Sequence, residues 1–207
     1  MDTALVVVLA VGAFLLGACP FAVWIGKWVL NKDIRNYGDG NPGSTNVFKA
    51  GSKFWGGVAV AVEMCKAMPF ILIGRLIFDI TTPTLYLIAF CAILGHAFSP
   101  FLNFRGGKAL AVFGGAALAL PQWDIFASMI ILLFLCALFI GNDSWVVMIS
   151  TIGTLAMLLV NRADMWEIVF VCGVTAVFVV KHFHDLWLDI MQPGRLIVWI
   201  RSKRKAA

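Results

Sequence analysis

A run of 27 residues from Ala4 to Leu30 carries a single charged side chain, Lys27, and more apolar stretches follow it. A helix needs about 20 apolar residues to cross a hydrocarbon core of about 30 Å. In such a core the backbone must satisfy its own polar groups, so each long stretch is expected to be a helix. The alternative, a water-soluble globule, requires charge. Only 13% of the 207 residues are charged against 61% hydrophobic, and the mean hydropathy is +0.93, whereas soluble domains average about a quarter charged residues. The expected class is therefore all-α, a polytopic integral membrane protein of about seven transmembrane helices, with the whole of residues 1–207 as one membrane-embedded domain. The lipid bilayer is its first partner, and nothing in the pattern calls for nucleic acid.

The expected spans are residues 4–30, with a kink at Pro20, then 54–78, 84–97, 109–120, 125–140, 145–160 and 167–188. The N-terminus has Asp2 and no basic region, so the first span reads as a retained helix rather than a cleaved signal. With seven spans, the loops at 31–53, 99–108 and 141–144 and the C-terminal tail share one side. That side holds Lys27, Lys32, Arg35, Lys49, Lys53, Arg105, Lys108, Lys181, Arg195, Arg201, Lys203, Arg204 and Lys205, while the other holds Arg75 and Arg162. The positive-inside rule puts the N-terminus outside and the C-terminus in the cytoplasm. Cys19, Cys65, Cys91, Cys136 and Cys172 are scattered through apolar runs without ligand spacing and read as small hydrophobes.

Between the first two spans lies Tyr37-Gly38-Asp39-Gly40-Asn41-Pro42-Gly43-Ser44-Thr45-Asn46. Three glycines and a proline rule out a helix interior, so this stretch is expected to be a loop. Its glycines allow backbone N–H groups to approach a ligand, and Arg35, Lys49 and Lys53 surround it with positive charge. It reads either as an anion cradle at the membrane surface or as an ordinary turn-rich connection. Arg105-Gly106-Gly107-Lys108 repeats the theme on the same side, a lysine at the opening of a helix behind two glycines. It lacks the spacing of a nucleotide-binding P-loop; its charges suit a phosphate or simply set topology.

Glu63 and Lys66 lie three residues apart within a span, on one helix face. Buried charge in a membrane is expensive, so the pair either locks helices together or serves a site. His96, after Gly95, adjoins the Gly-Gly-Lys loop as a supporting residue. Lys181-His182-Phe183-His184-Asp185 closes the last span; His182, Asp185 and Asp189 share a face there. His182 is either an interfacial cap or a group that binds an anionic substrate and exchanges a proton with it. No metal-ligand set, cofactor fingerprint or nucleophile–base motif is present in the sequence.

In order and spacing, Gly40-Asn41-Pro42-Gly43-Ser44-Thr45-Asn46-Val47, then Gly95-His96-Ala97-Phe98 with Phe104-Arg105-Gly106-Gly107-Lys108, then Lys181-His182 resemble the three motifs of the bacterial acyl-phosphate:glycerol-3-phosphate acyltransferases. Glu63-Met64-Cys65-Lys66 followed by Pro69 resembles the acidic–x–x–Lys element of that family, and Ser144 falls where the family carries a serine. The resemblance implies a seven-helix, monomeric enzyme of the bacterial cytoplasmic membrane that makes lysophosphatidate from acyl phosphate and glycerol 3-phosphate, without a cofactor or a covalent intermediate. It assigns catalysis to Lys108 and His182, with Asp39 and Asp185 at the altered catalytic positions. Asn41, Gly43, Thr45, Asn46, Lys49, Gly106, Gly107 and Ser144 would bind substrate.

Several positions depart from the pattern of the family. Asp39 stands for a serine, Lys49 for an arginine, Ala109 for a glycine, Asp185 for an asparagine and Leu188 for an arginine. A point charge thus replaces a bidentate guanidinium. An extra carboxylate beside a bound phosphate is unfavourable by a few kcal/mol at an effective dielectric of ~20. Either Asp39 and Asp185 pair with Lys49, Lys108 or Lys181, or the acceptor is another, less anionic polar molecule. A third possibility is a non-catalytic lipid-binding or transport protein, gated by Glu63 and Lys66.

Overall fold

The computed structural model describes residues 3–188 and Val198. Asp189 and the basic residues Arg195, Arg201, Lys203, Arg204 and Lys205 lie outside the described residues. Within them the protein is all-α: α1 (Thr3–Ala18), α2 (Phe21–Val29), α3 (Ser44–Lys49), α4 (Lys53–Cys65), α5 (Met68–Leu76), α6 (Thr82–Ala97), α7 (Leu110–Ala119), α8 (Trp123–Phe139), α9 (Asp143–Val160) and α10 (Met165–Leu188), with 3-10 turns at Ile34–Asn36 and Pro100–Leu102. Among the described residues, five segments are long and apolar enough to cross a membrane: Thr3–Val29, Lys53–Leu76, Thr82–Leu102, Asp143–Val160 and Met165–Trp187. Leu110–Ala119 and Trp123–Phe139 are apolar but shorter. The chain is a multi-pass membrane protein built as two compact units, Met1–Gln122 and Trp123–Ala207.

In the first unit α1 packs mainly on α6, and glycine makes that closeness possible. A Cβ on Gly17 would strike the Ala92 carbonyl, and one on Gly95 would strike the Phe14 carbonyl. Gly115 of α7 lies equally close to the Met64 carbonyl of α4. The expected kink at Pro20 is a full break between α1 and α2, because proline supplies no N–H and clashes with the preceding turn. Its freed polar groups find partners. Ser99 Oγ donates to the Ala18 carbonyl (2.6 Å), Lys66 Nζ donates to the Cys19 carbonyl (2.7 Å), and the Ala22 N–H donates to Glu63 Oε1 (3.1 Å). Such repair is what permits a broken helix at membrane depth.

The second expected span is likewise not continuous. Pro69 cannot donate to Cys65, so α4 ends at Cys65 and α5 restarts at Met68. Arg75 in the last turn of α5 donates to the Ala119 and Leu120 carbonyls (both 3.2 Å) and so closes the end of α7.

The loop after α2 is less open than its composition suggests. Ser44–Asn46, expected to be loop, instead start α3, with Gly43 at its N-cap. The glycines and Pro42 all precede that helix, so they do not oppose it. Fully buried Ile34 and Val47 pin the connection to Ala22, Val23 and Ala59. Lys32 Nζ donates to the Ala50 carbonyl (2.6 Å) at the end of α3. In the second unit α9 packs against both α8 and α10, with Thr151 and Thr154 against Met129.

Candidate active site

Two polar clusters, one in each unit, contain the residues singled out in the sequence. The first joins the loop before α3 to the loop before α7. Lys108 Nζ donates to Asp39 Oδ2 at 2.7 Å, across 69 residues of chain. Asp39 Oδ1 accepts from the Asn41 N–H (3.1 Å) and from Asn46 Nδ2 (3.0 Å), and the same Asn46 amide donates to the Asn41 carbonyl (2.8 Å). Asn46 is buried, so this amide is the internal brace of the loop. Gly38 (φ 61°) and Gly40 (φ 73°) occupy the left-handed region that their turn demands. Gly38 also allows a close approach: a Cβ there would strike Asn46 Oδ1 and come within 2.9 Å of Lys49 Nζ. Lys49 is exposed at the end of α3, as is Thr45 near its start.

Burial would raise the Asp39 carboxyl, but Lys108 outweighs it through both hydrogen bond and charge. With the Asn41 and Asn46 donors added, the carboxyl is held down at about 2. The question of how the extra carboxylate is accommodated is thereby answered for Asp39: its cation is Lys108. Arg35, expected to lend charge to the loop, is instead taken by Asp33, which accepts from its Nη2 (2.7 Å) and Nε. The hydrogen bond from Arg35 is the main reason the Asp33 carboxyl falls to about 2.

Gly106 and Gly107 do not use positive φ. Their role is close approach to the C-terminal end of α6. The Gly107 N–H donates to the His96 carbonyl (3.2 Å), and a Cβ on Gly106 would strike the carbonyls of His96 and Ala97. The strained positions are their neighbours Asn103 (φ 52°), Phe104 (φ 60°) and Ala109 (φ 63°). Non-glycine residues persist there only where the surroundings dictate the backbone.

Glu63 and Lys66, paired as their spacing indicates, are deeply buried (side chains 2% and 1% exposed), with Nζ 2.6 Å from Glu63 Oε2. His96 joins them, its Nδ1 3.0 Å from Lys66 Nζ and 3.1 Å from Glu63 Oε2. Sequence reasoning missed this link, as well as the roles of Ser99 and Lys66 in repairing the helix break. The available clue was a proline inside a span together with charges inside the next.

The second cluster is local to the second unit. Asn142 caps α9, its Oδ1 accepting from the N–H groups of Ser144 (2.9 Å) and Trp145 (3.3 Å), while its Nδ2 donates to the Asp185 carbonyl (3.3 Å). Ser144 Oγ and His182 Nδ1 are 2.8 Å apart and both residues are buried. Phe178 presents an edge-on ring to the imidazole, with centroids 6.1 Å apart. The hydroxyl fixes the ring orientation of His182, and the hydrogen on the other ring nitrogen follows from which partner donates.

A family model described as glycerol-3-phosphate acyltransferase matches residues 7–187. The chain belongs to the glycerol-3-phosphate acyltransferase family. Curated relatives of that name include one from Anaeromyxobacter sp. (strain Fw109-5), 39% identical over 129 residues, covering 61% of this chain and 64% of the relative. One from Streptococcus gordonii is 35% identical over 130 residues, covering 63% and 59%. In these two matches the aligned part thus spans 64% and 59% of the relative. Two crystal structures of PlsY, an integral membrane glycerol 3-phosphate acyltransferase, share the fold and are both 25% identical to this chain. The glycerol 3-phosphate form has a TM-score of 0.79 and covers 87% of this chain and 90% of its own. The lysophosphatidic acid form has a TM-score of 0.75 and covers 87% and 89%.

Proposed function

We propose that this family member transfers a fatty acyl group from acyl phosphate to the 1-hydroxyl of glycerol 3-phosphate, releasing phosphate and lysophosphatidate. The observation that carries the reading is the 2.7 Å junction of Lys108 with the Asp39 loop, which gathers a phosphate-binding ammonium, two glycine-rich loops and Lys49 in one unit. Acyl phosphate is a mixed anhydride with a good leaving group, so positioning and charge stabilisation suffice, and no cofactor is required. Lys108, with Gly106 and Gly107 behind it, holds a phosphate and offsets the charge that develops as the acyl carbonyl is attacked. Asn41, Gly43, Thr45 and Asn46 shape the first loop, and Lys49 takes the phosphate of the acceptor. Asp39 accepts the proton of the attacking hydroxyl once phosphate competes for Lys108, because losing that cation lets its carboxyl rise from its low value. In the second unit Ser144 orients the His182 ring, and Asp185 sets the local charge.

We propose further that the seven apolar segments of the described residues, including the two short ones, all cross a bacterial cytoplasmic membrane. The N-terminus is outside, the C-terminus inside, and the protein is a monomer. A second reading rests on Asp39 itself. Its carboxylate already occupies the lysine that should bind phosphate, which favours a less anionic or amine-bearing acceptor.

The test is turnover by purified protein in lipid, supplied with long-chain acyl phosphate and glycerol 3-phosphate, with Lys108→Ala as control. Lysophosphatidate formed by the wild type and lost in the variant supports the first reading. Acyl phosphate consumed only with other polar acceptors supports the second. No consumption with any acceptor overturns both.

A further inference from the structure

Residue 96 touches the Gly106–Lys108 loop twice. Its carbonyl accepts from the Gly107 N–H (3.2 Å). Its ring also lies under Gly107: a Cβ there would strike Nε2 and come within 2.9 Å of Cε1 and 3.3 Å of Cδ2. The ring is in turn held from the other side. Lys66 Nζ is held by three groups: Glu63 Oε2 (2.6 Å), the Cys19 carbonyl (2.7 Å) and His96 Nδ1 (3.0 Å). Glu63 is anchored independently by the Ala22 N–H (3.1 Å). Neither member of the ion pair can shift without breaking bonds at the junction of α1 and α2, so the imidazole edge facing Gly107 is held in place. Close-packed interiors transmit such constraints because they contain no slack.

We infer that His96 is the positioning residue of the phosphate loop: the Glu63–Lys66 pair sets its ring, and its ring sets the height of Gly107 and thereby of the neighbouring Lys108 ammonium. The charges inside the second span, which the proposed chemistry does not itself use, thus act on the site from beneath. This inference rests on the proposed phosphate-binding role of Lys108, but its structural half stands without turnover.

The experiment compares wild type, His96→Asn, His96→Gln, Gly107→Ala and His96→Asn/Gly107→Ala in lipid. Asparagine keeps a polar atom for the ion pair and removes the edge under Gly107. Amide hydrogen exchange of residues 105–109 reads the loop directly; steady-state kinetics and Tm are taken on the same samples. In His96→Asn the loop amides are expected to exchange at least ~10-fold faster. KM for the phosphorylated substrates should rise about 10-fold with a smaller change in kcat, while Tm stays near the wild-type value. His96→Gln serves if the asparagine variant does not fold. Gly107→Ala alone should be the more damaging change, because its methyl meets the ring. Combined with His96→Asn it should recover at least part of the loss, since the methyl enters the vacated space. Unchanged exchange and unchanged KM in His96→Asn would overturn the inference, as would a double variant no better than Gly107→Ala. If the wild type makes no lysophosphatidate, the activity reading fails separately, and loop exchange in the same five proteins still decides the positioning role.

Discussion

Removing one half of the buried ion pair should damage the protein more than removing both halves. Lys66→Met leaves the Glu63 carboxylate, 2% exposed, with only the Ala22 N–H and His96 Nδ1 beside it. Breaking one side of a buried pair costs about 3–5 kcal/mol. The variant also strands the Cys19 carbonyl, and a lost interhelical hydrogen bond in a membrane costs about 1–2 kcal/mol. The sum is about 4–7 kcal/mol. Glu63→Leu/Lys66→Met removes both charges and leaves two orphaned backbone groups, the Cys19 carbonyl and the Ala22 N–H, at a cost of about 2–4 kcal/mol. The double variant is therefore expected to be about 1–3 kcal/mol more stable than Lys66→Met alone, although it differs from wild type at one more position. Denaturant titration in mixed micelles, followed by far-UV circular dichroism, measures all three proteins with Glu63→Leu completing the cycle. Additive single-variant costs in the double variant would refute the reasoning, because they would mean that the two charges are solvated independently of each other.

Other perturbations separate the remaining contributions. The Asp39 carboxyl is held down at about 2, so its ionised state adds stability above its ordinary value of about 4, and that stability is lost as pH falls from there through about 2. With the side chain 32% exposed, the contribution is at most about 1 kcal/mol; acid unfolding of wild type and Asp39→Asn should differ at pH 5 and converge toward pH 2. Gly95→Ala forces a methyl into the Phe14 carbonyl and should cost about 1–3 kcal/mol, whereas Gly57→Ala, where nothing lies within 4 Å, should be neutral or stabilising by up to about 1 kcal/mol; thermal unfolding in detergent compares the two. Ser144→Ala removes the hydroxyl on His182 Nδ1 and should lower kcat about 10-fold, the value of one net hydrogen bond, with Ser144→Thr retaining more activity in the same turnover assay.

The helical class and the membrane setting were legible in the sequence because a bilayer admits few solutions. Long apolar runs must be helices, and proline must interrupt them, as Pro20 does. The pairing of Glu63 with Lys66 was legible for a similar reason, since helical spacing alone brings them together. The motif residues were also legible, because glycine-rich polar stretches between spans are chemically conspicuous. Tertiary structure decided where each side chain finds its partner. Lys108 meets Asp39 from 69 residues away, Arg35 is lost to Asp33, and His96 lies between an ion pair and a glycine. It also decided why Gly106 and Gly107 are glycines, since their neighbours are the carbonyls and the ring at the end of α6. Local propensity and hydropathy act over a few residues and leave their mark on the chain itself; the other contacts exist only once distant segments pack, and no pattern along one segment encodes which distant group will face it.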